Sequence, residues 1–198
     1  MLRRTLCSSL LALSLAMPAA ADAVSEAMAA VEKHAGQKLE WDGPTSGPAA
    51  AEGKTIVVLA GDMKNGGILG VTNGVEEAVD KIGWDVRVLD GAGSIQGRTA
   101  AFGQALALQP DGIIINGFDA IEQQAALAQA QEAGIPMVSW HAGPVIGPDE
   151  ETGLFTNVST DAMQVSAAAA QWAFADAGGS PGVVIFTDST YQIAIAKA

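Results

Sequence analysis

The chain of 198 residues is acidic: 22 Asp and Glu against 10 Lys and Arg give a formal net charge of −12, and 49% of its residues are hydrophobic. This balance excludes a nucleic-acid-binding surface, which needs clustered basic side chains against the phosphate backbone. The single cysteine, Cys7, excludes an intramolecular disulfide and a cysteine metal site. The length allows one large domain, or one small domain and part of a second.

The first 21 residues have the pattern of a secretory signal peptide. Arg3 and Arg4 give a positive start, residues 6–17 form an apolar core, and the alanines at 19–21 are typical of a cleavage site. The core is shorter than the ~20 apolar residues that a transmembrane helix needs. We therefore expect residues 1–21 to be removed and the mature chain to be exported to the periplasm.

Residues 22–53 are predicted to form a helix followed by a linker. Apolar side chains recur at helical spacing over residues 23–35, and Gly36 follows them. The rest of the segment is rich in Gly, Pro and Ala, which is typical of an extended connection.

From residue 54 the chain repeats one pattern, a short apolar run, then a polar or Gly-rich loop, then a stretch with helical spacing. The runs are TIVVLA, WDVRVL, GIIIN and PMVSW. Such runs are typical of strands buried on both faces of a parallel sheet and joined by crossover helices. The sequence therefore predicts an α/β fold. Ligands of such sheets bind at the carboxyl ends of the strands, so we expect the site in the loops that begin at Gly61, Asp90, Asn116 and Trp140.

Three crossover helices are predicted from their ends. The first covers residues 68–82 and ends at Gly83, and the second begins at a Ser94 cap. The third opens at Asp119, and Glu122 three residues later completes a capping-box pattern.

Beyond Trp140 the chain is predicted to complete the first lobe and begin a second one. A loop at 141–153 precedes a short strand at 154–158, and a helix over 161–177 precedes a buried strand, VVIF, at 183–186. Because the sequence stops in a predicted helix, we expect a second α/β domain that is truncated. The expected organisation is a signal peptide at 1–21, a helix and linker at 22–53, an N-terminal ligand-binding lobe at 54–160, and the start of a C-terminal lobe at 161–198.

The sequence offers little for catalysis. His34 and His141 are far apart, so the H-E-x-x-H zinc motif is absent. GGSPG at 178–182 has the letters of a nucleophile elbow, but it follows a predicted helix where an elbow must follow a strand. No G-x-G-x-x-G follows the first strand, so dinucleotide binding is not supported. We expect no metal and no cofactor, and a secreted α/β enzyme stays only as an alternative.

The strand-end loops instead carry neutral or acidic hydrogen-bonding groups beside aromatic rings, a combination that suits a sugar or polyol. The candidate ligand-binding residues in these loops are Asp62, Asn65, Asn116, Phe118, Trp140, His141, Thr160 and Asp161. Structural roles remain open for three of them: a turn at Asn65, a loop cap at Asn116 and a core position for Trp140.

Five segments carry a resemblance to a known family, and they are KTIVVLAGDMKNGG, DKIGWDVRVLD, QPDGIIINGFD, AGIPMVSWHA and NVSTD. From residue 54 to the end the chain resembles the periplasmic sugar-binding proteins of the ribose-binding type, which share their fold with LacI-like ligand domains. The resemblance implies two α/β lobes that close by a hinge over a sugar, which is then delivered to the permease of an ABC importer in the inner membrane. It also implies a monomer, and it places Ser189 on the far side of the cleft.

Two departures from this pattern concern the ligand. Ribose binders have an aromatic pair after the first-loop Asn, where this chain has Gly67 and Ile68, and an Asp-Arg pair after the fourth strand, where it has His141 and Ala142. The loss of these charged partners argues against ribose itself. A LacI-like repressor is excluded because a signal peptide precedes the fold. A module that reports to a chemoreceptor or sensor kinase is the alternative to a transport protein.

Overall fold

The structure, a computed structural model, describes residues 16–36, 40–41 and 43–198. Most of the predicted signal peptide, including Cys7, lies outside these residues. The chain divides into two compact units. We call Gly43–Ala162 with Thr187–Ala198 the sheet unit, and Met1–Asp42 with Met163–Phe186 the helical unit.

The sheet unit is an α/β fold, as predicted. The strands of its described sheet are β1 (Thr55–Ala60), β2 (Asp85–Asp90), β3 (Gly112–Asn116), β4 (Met137–Trp140), β5 (Gly147–Asp149) and β6 (Leu154–Val158). The helices of the described chain are α1 (Ala16–Glu32), α2 (Gly66–Ile82), α3 (Ile95–Leu108), α4 (Gln124–Glu132), α5 (Ala162–Asp176) and α6 (Gln192–Lys197), with a 3₁₀ turn at Ala120–Gln123. The strand order is β2-β1-β3-β4-β6-β5, and all pairs are parallel except β5 with β6. The sequence prediction missed β5, which lies within the predicted loop 141–153.

Helices cover the central strands on both faces, which explains why the strand sequences are apolar throughout. The core between the sheet, α3 and α4 includes Val57, Leu59, Phe102, Ile113, Ile115, Phe118, Leu127 and Met137. Helix α2 contributes buried Ile68, Thr72 and Val79. This two-sided burial holds the strands, and hence the loops at their carboxyl ends, in a fixed register.

Two predicted helix ends in the sheet unit are confirmed: Ser94 caps α3, and Gly83 ends α2 in the left-handed conformation at φ +71°. The Asn65 side chain caps α2, a role that the sequence did not predict. The predicted capping box at Asp119 is wrong. Asp119 makes no side-chain cap hydrogen bond, and a 3₁₀ turn separates it from α4, because its carboxylate and that of Glu122 are engaged with distant parts of the chain.

The helical unit contains α1 and most of α5. Helix α1 begins at Ala16 and ends at Glu32, earlier at both ends than the predicted 23–35. Helix α5 agrees with the predicted helix over 161–177, and its Trp172 is 57% exposed. None of the helices in the described part of the chain is long and apolar enough to cross a membrane.

The predicted strand at 183–186 is wrong. These residues form neither strand nor helix, and Phe186 is 93% exposed. A strand needs a neighbouring backbone to pair with, and no described segment supplies one here.

Candidate functional site

The carboxyl ends of five strands form one row across the sheet unit. The pairing registers align Asp90, Ala60, Asn116, Trp140 and Val158. The alignment continues into the first residue of each loop. The residue after each of β1, β3 and β4 donates its N–H to the carbonyl of the last residue of the neighbouring strand, at 2.9–3.0 Å. The predicted loops therefore meet at one edge of the sheet, as a parallel sheet requires.

Two predicted ligand residues shape the loop after β1. Asp62 Oδ1 accepts the Lys64 N–H at 2.9 Å, and Asn65 Oδ1 accepts the N–H groups of Gly67 and Ile68 at 2.9 and 3.2 Å. Asn65 is exposed and Asp62 is partly exposed. Both side chains thus hold the loop and the start of α2, while their contact with a ligand stays a prediction.

The structure gives Asn116 and Phe118 interior positions, with no exposed surface on either. The Asn116 amide Nδ2 donates to Ile68 O at 3.0 Å and to Thr72 Oγ1 at 2.9 Å, which fastens α2 to β3. Phe118 belongs to the core, with the Arg98 guanidinium 5.5 Å from its ring centroid. A ligand could reach either residue only if the packing around it changed.

Trp140 and His141 form an aromatic stack at the end of β4. Their ring centroids are 4.2 Å apart with an interplanar angle of 25°, and both residues are partly exposed. The Trp140 ring reaches across to Gly67 in the first turn of α2 and to Gly117 in the loop after β3. The start of α2 and the loops after β3 and β4 therefore meet at this indole.

His141 adopts a left-handed backbone conformation, φ +50°, which is unusual for a residue with a side chain and is concentrated at functional sites. Burial, and to a smaller extent the positive charge of Lys197, lower the pKa of the His141 imidazole. The neutral imidazole is therefore favoured, and it has one hydrogen-bond donor and one acceptor.

The remaining predicted ligand residues lie apart from this stack in the sequence. Thr160 is exposed and Asp161 partly exposed between β6 and α5. Ser189 is exposed in a turn in which Asp188 Oδ1 accepts the N–H of Thr190 at 2.9 Å. The role of these three residues stays a prediction.

The segment after β3 contributes two acidic side chains, Asp119 and Glu122, to a largely buried charged cluster that also contains Arg98. Asp119 is 3% exposed, and its Oδ2 accepts the Gln192 N–H of α6 at 2.8 Å. Arg98, 4% exposed, donates from Nε and Nη2 to Glu122 Oε2 at 3.1 and 2.7 Å. Burial raises the pKa of the Asp119 carboxyl and Glu122 raises it further, while the bond from Gln192 and the charge of Arg98 oppose this.

The raised pKa of Asp119 predicts a distinctive dependence of stability on pH. The folded protein holds the Asp119 proton more tightly than the unfolded chain does, so the free energy of unfolding gains a contribution as the pH falls through the raised pKa toward the ordinary value of 3.8. We expect Asp119→Asn to remove this gain. Urea unfolding of both proteins from neutral pH downward measures the difference.

Asp111→Asn is a control, because the contribution of Asp111 to stability should depend on pH with the opposite sign. The hydrogen bond from Lys54 lowers the pKa of Asp111, so its contribution is lost at low pH. Parallel stability curves for wild type and Asp119→Asn would contradict the assignment to Asp119.

Sequence reasoning missed a hydrogen-bonding centre below the His141 loop. Asn157, 2% exposed, accepts from Ser139 Oγ at 2.8 Å and from Ala142 N at 3.2 Å, and donates to the carbonyls of Gly143 and Val145 at 3.3 and 2.6 Å. A polar side chain in the apolar strand β6 was the only available signal. Among the described residues, no cluster of three or more His, Cys, Asp or Glu could hold a metal ion.

Known proteins share this architecture. Residues 56–194 match the family model of the periplasmic binding protein domain. The chain is similar to an ABC sugar transporter subunit from Rhodobacter sphaeroides 2.4.1, at 20% identity and a TM-score of 0.64 over 74% of this chain and 50% of that one. It is also similar to an ABC transporter solute binding protein from Agrobacterium vitis with bound allitol, at 20% identity and a TM-score of 0.63 over 73% of this chain and 48% of that one. A third similar structure is an ABC transporter solute binding protein from Clostridium phytofermentans with bound β-D-glucose, at 14% identity and a TM-score of 0.63 over 73% of this chain and 45% of that one.

The chain spans about half the length of these solved structures. At these identities the similarity concerns the fold. No curated protein sequence matches the chain.

Proposed function

Because the chain belongs to the periplasmic binding protein domain family, we propose that it is the extracytoplasmic solute-binding protein of an ABC importer and binds a monosaccharide or related polyol. The observation that carries the proposal is the partly exposed Trp140–His141 stack at the carboxyl ends of the strands. Aromatic faces suit the C–H faces of sugars, and a neutral imidazole pairs with hydroxyl groups. Binding and release need no bond chemistry.

The same proposal includes the wider setting of the protein. A signal peptide at 1–21 would direct export to the periplasm, and an inner-membrane ABC permease would receive the loaded protein. The proposed site combines the loops of residues 54–160 with groups from a second lobe that begins near residue 161. Ser189, which lies in the sheet unit of this structure, is proposed to join them. Closure of two such lobes over a ligand is the hinge mechanism that families of this kind use.

A thermal-shift screen of the purified chain tests the proposed ligand class. A ligand at 100 times its dissociation constant adds about 2.7 kcal/mol to the free energy of unfolding, which raises the Tm of a protein of this size by about 5–10 °C. We expect at least one monosaccharide or alditol to produce such a shift. Amino acids at the same concentrations are the control, and stabilisation by an amino acid but by no sugar or alditol would refute the ligand class.

A further inference from the structure

We infer that Gly67 is a specificity-determining residue of the proposed sugar site and that it selects ring-form sugars over open-chain polyols. The inference rests on the proposed function. Its structural basis is the absence of a side chain at Gly67, which makes room for the Trp140 ring.

The close approach of Trp140 explains why position 67 carries no side chain. A Cβ atom on Gly67 would lie 3.3 Å from Trp140 Cη2 and 3.2 Å from Asn65 Oδ1. A Cβ on Gly117 would meet the Ile68 side chain first and would lie 3.5 Å from Trp140 Cζ3. Cη2 and Cζ3 are adjacent atoms of the indole, so this edge of the ring lies close to both Gly67 and Gly117, which we call the glycine notch.

Space, and not backbone conformation, sets the requirement at Gly67. Its φ angle lies outside the left-handed region, whereas Gly117 has φ +75° and would be strained by any side chain. The preceding residue, Gly66, has no atom within 4 Å of a hypothetical Cβ. Of the two adjacent glycines at the start of α2, only Gly67 lies close to the indole and to the Asn65 side chain.

The notch fixes the orientation of the whole stack. The indole edge lies close to two glycines, and the imidazole of His141 lies on the indole at a centroid distance of 4.2 Å. The left-handed backbone of His141 limits the directions in which its ring can point. The stack therefore holds both rings in a fixed orientation at the sheet edge, and the outer face of a stacked ring is a flat, preorganised aromatic surface.

A flat surface discriminates between ligands by shape. A cyclic sugar has a rigid face of C–H groups that can rest on an aromatic plane, while an open-chain alditol with nearly the same hydroxyl groups has no such face and must lose more rotational freedom on binding. The stack should therefore favour the ring form. A side chain at position 67 would displace the indole and reduce that preference.

Matched pairs of an aldose and its alditol test this inference. Calorimetric titration of the full chain with D-glucose and sorbitol, D-galactose and galactitol, D-mannose and mannitol, and D-allose and allitol gives the ring preference directly. We expect wild type to bind at least one aldose more tightly than its alditol. Gly67→Ala should raise the Kd of that aldose about three- to tenfold and change that of the alditol much less.

Two further variants assign the effect to the indole. Gly66→Ala, the matched control, should leave both Kd values within about twofold of wild type. In a Trp140→Leu background, Gly67→Ala should have no additional effect on the aldose Kd, since the group that it displaces is gone.

The possible failures are distinguishable. A lower Tm of Gly67→Ala without a change in ring preference would mean that the glycine serves only the Asn65 cap. The inference would then be wrong, and the proposed function would still stand. Equal or tighter binding of the alditols by wild type would also overturn it. If wild type bound no member of the panel and no other sugar, the proposed function itself would fall, and the inference with it.

Discussion

Asn157→Ala is expected to lower the free energy of unfolding of the sheet unit by about 3 kcal/mol, because it leaves buried hydrogen-bonding groups without partners. The Asn157 amide makes four hydrogen bonds, to Ser139 Oγ, Ala142 N, Gly143 O and Val145 O. Ser139 and Ala142 are 2% and 3% exposed, so water cannot readily replace the lost acceptor. Urea unfolding followed by far-UV circular dichroism measures the loss.

The matched control for this change is Asn73→Ala, the same substitution at an exposed position of α2. We expect it to change the free energy of unfolding by less than about 0.5 kcal/mol. Ser139→Ala removes one of the four bonds and should cost about 1 kcal/mol. If Asn157→Ala cost no more than Ser139→Ala, the amide would not be the centre that holds the loop after β4.

The position of Asn157 gives this stability effect a functional consequence. Its bonds to Ala142 and Gly143 fix the backbone directly after His141. Loosening that backbone should also loosen the strained φ of His141 and its stacking on Trp140. The near-UV circular dichroism of the Trp140–His141 stack should therefore weaken in Asn157→Ala under conditions where the protein is still folded.

Glu122→Ala is expected to cost about 3 kcal/mol, because it leaves the buried guanidinium of Arg98 without its carboxylate. Two hydrogen bonds, from Arg98 Nε and Nη2, end on the same Glu122 oxygen. The pair is well shielded, with the Arg98 side chain 4% exposed and that of Glu122 17% exposed. The same urea titration measures the change, and Glu77→Ala, an exposed carboxylate on α2, is the control.

A double variant distinguishes loss of the pair from exposure of a lone charge. Arg98→Met with Glu122→Leu replaces both ions by apolar groups, and we expect it to recover much of the stability that Glu122→Ala loses. Glu122→Ala should also lower the pKa of Asp119, since the Glu122 charge contributes to raising it. A double variant as unstable as Glu122→Ala would mean that packing at this position, and not charge, dominates.

Local sequence signals predicted the parts of the fold that depend on near neighbours. The apolar runs predicted β1 to β4, a short strand was predicted at β6, and the helix ends at Ser94 and Gly83 were predicted correctly, because each depends on residues within one helical turn. The parallel arrangement then placed the loops at one sheet edge, which located the candidate site.

Tertiary contacts decided which candidate residues are available to a ligand. Sequence reasoning assigned Asn116 and Phe118 to the site because they follow β3, but both are buried. Polar or aromatic character after a strand does not reveal whether α2 or α3 will cover the residue. The same limit applies to 183–186, whose apolar sequence predicts a strand although pairing requires a partner.

The sequence alone therefore determined the α/β class, the order of the first four strands and their crossover helices, and the sheet edge at which function is expected. The tertiary structure decided that Glu122 pairs with Arg98, that Asp119 meets Gln192, and that Trp140 lies against Gly67. The physical reason is distance along the chain. Periodicity and capping act over a few residues, whereas these partners are separated by 24 to 73 positions and meet only when the sheet and its helices have packed.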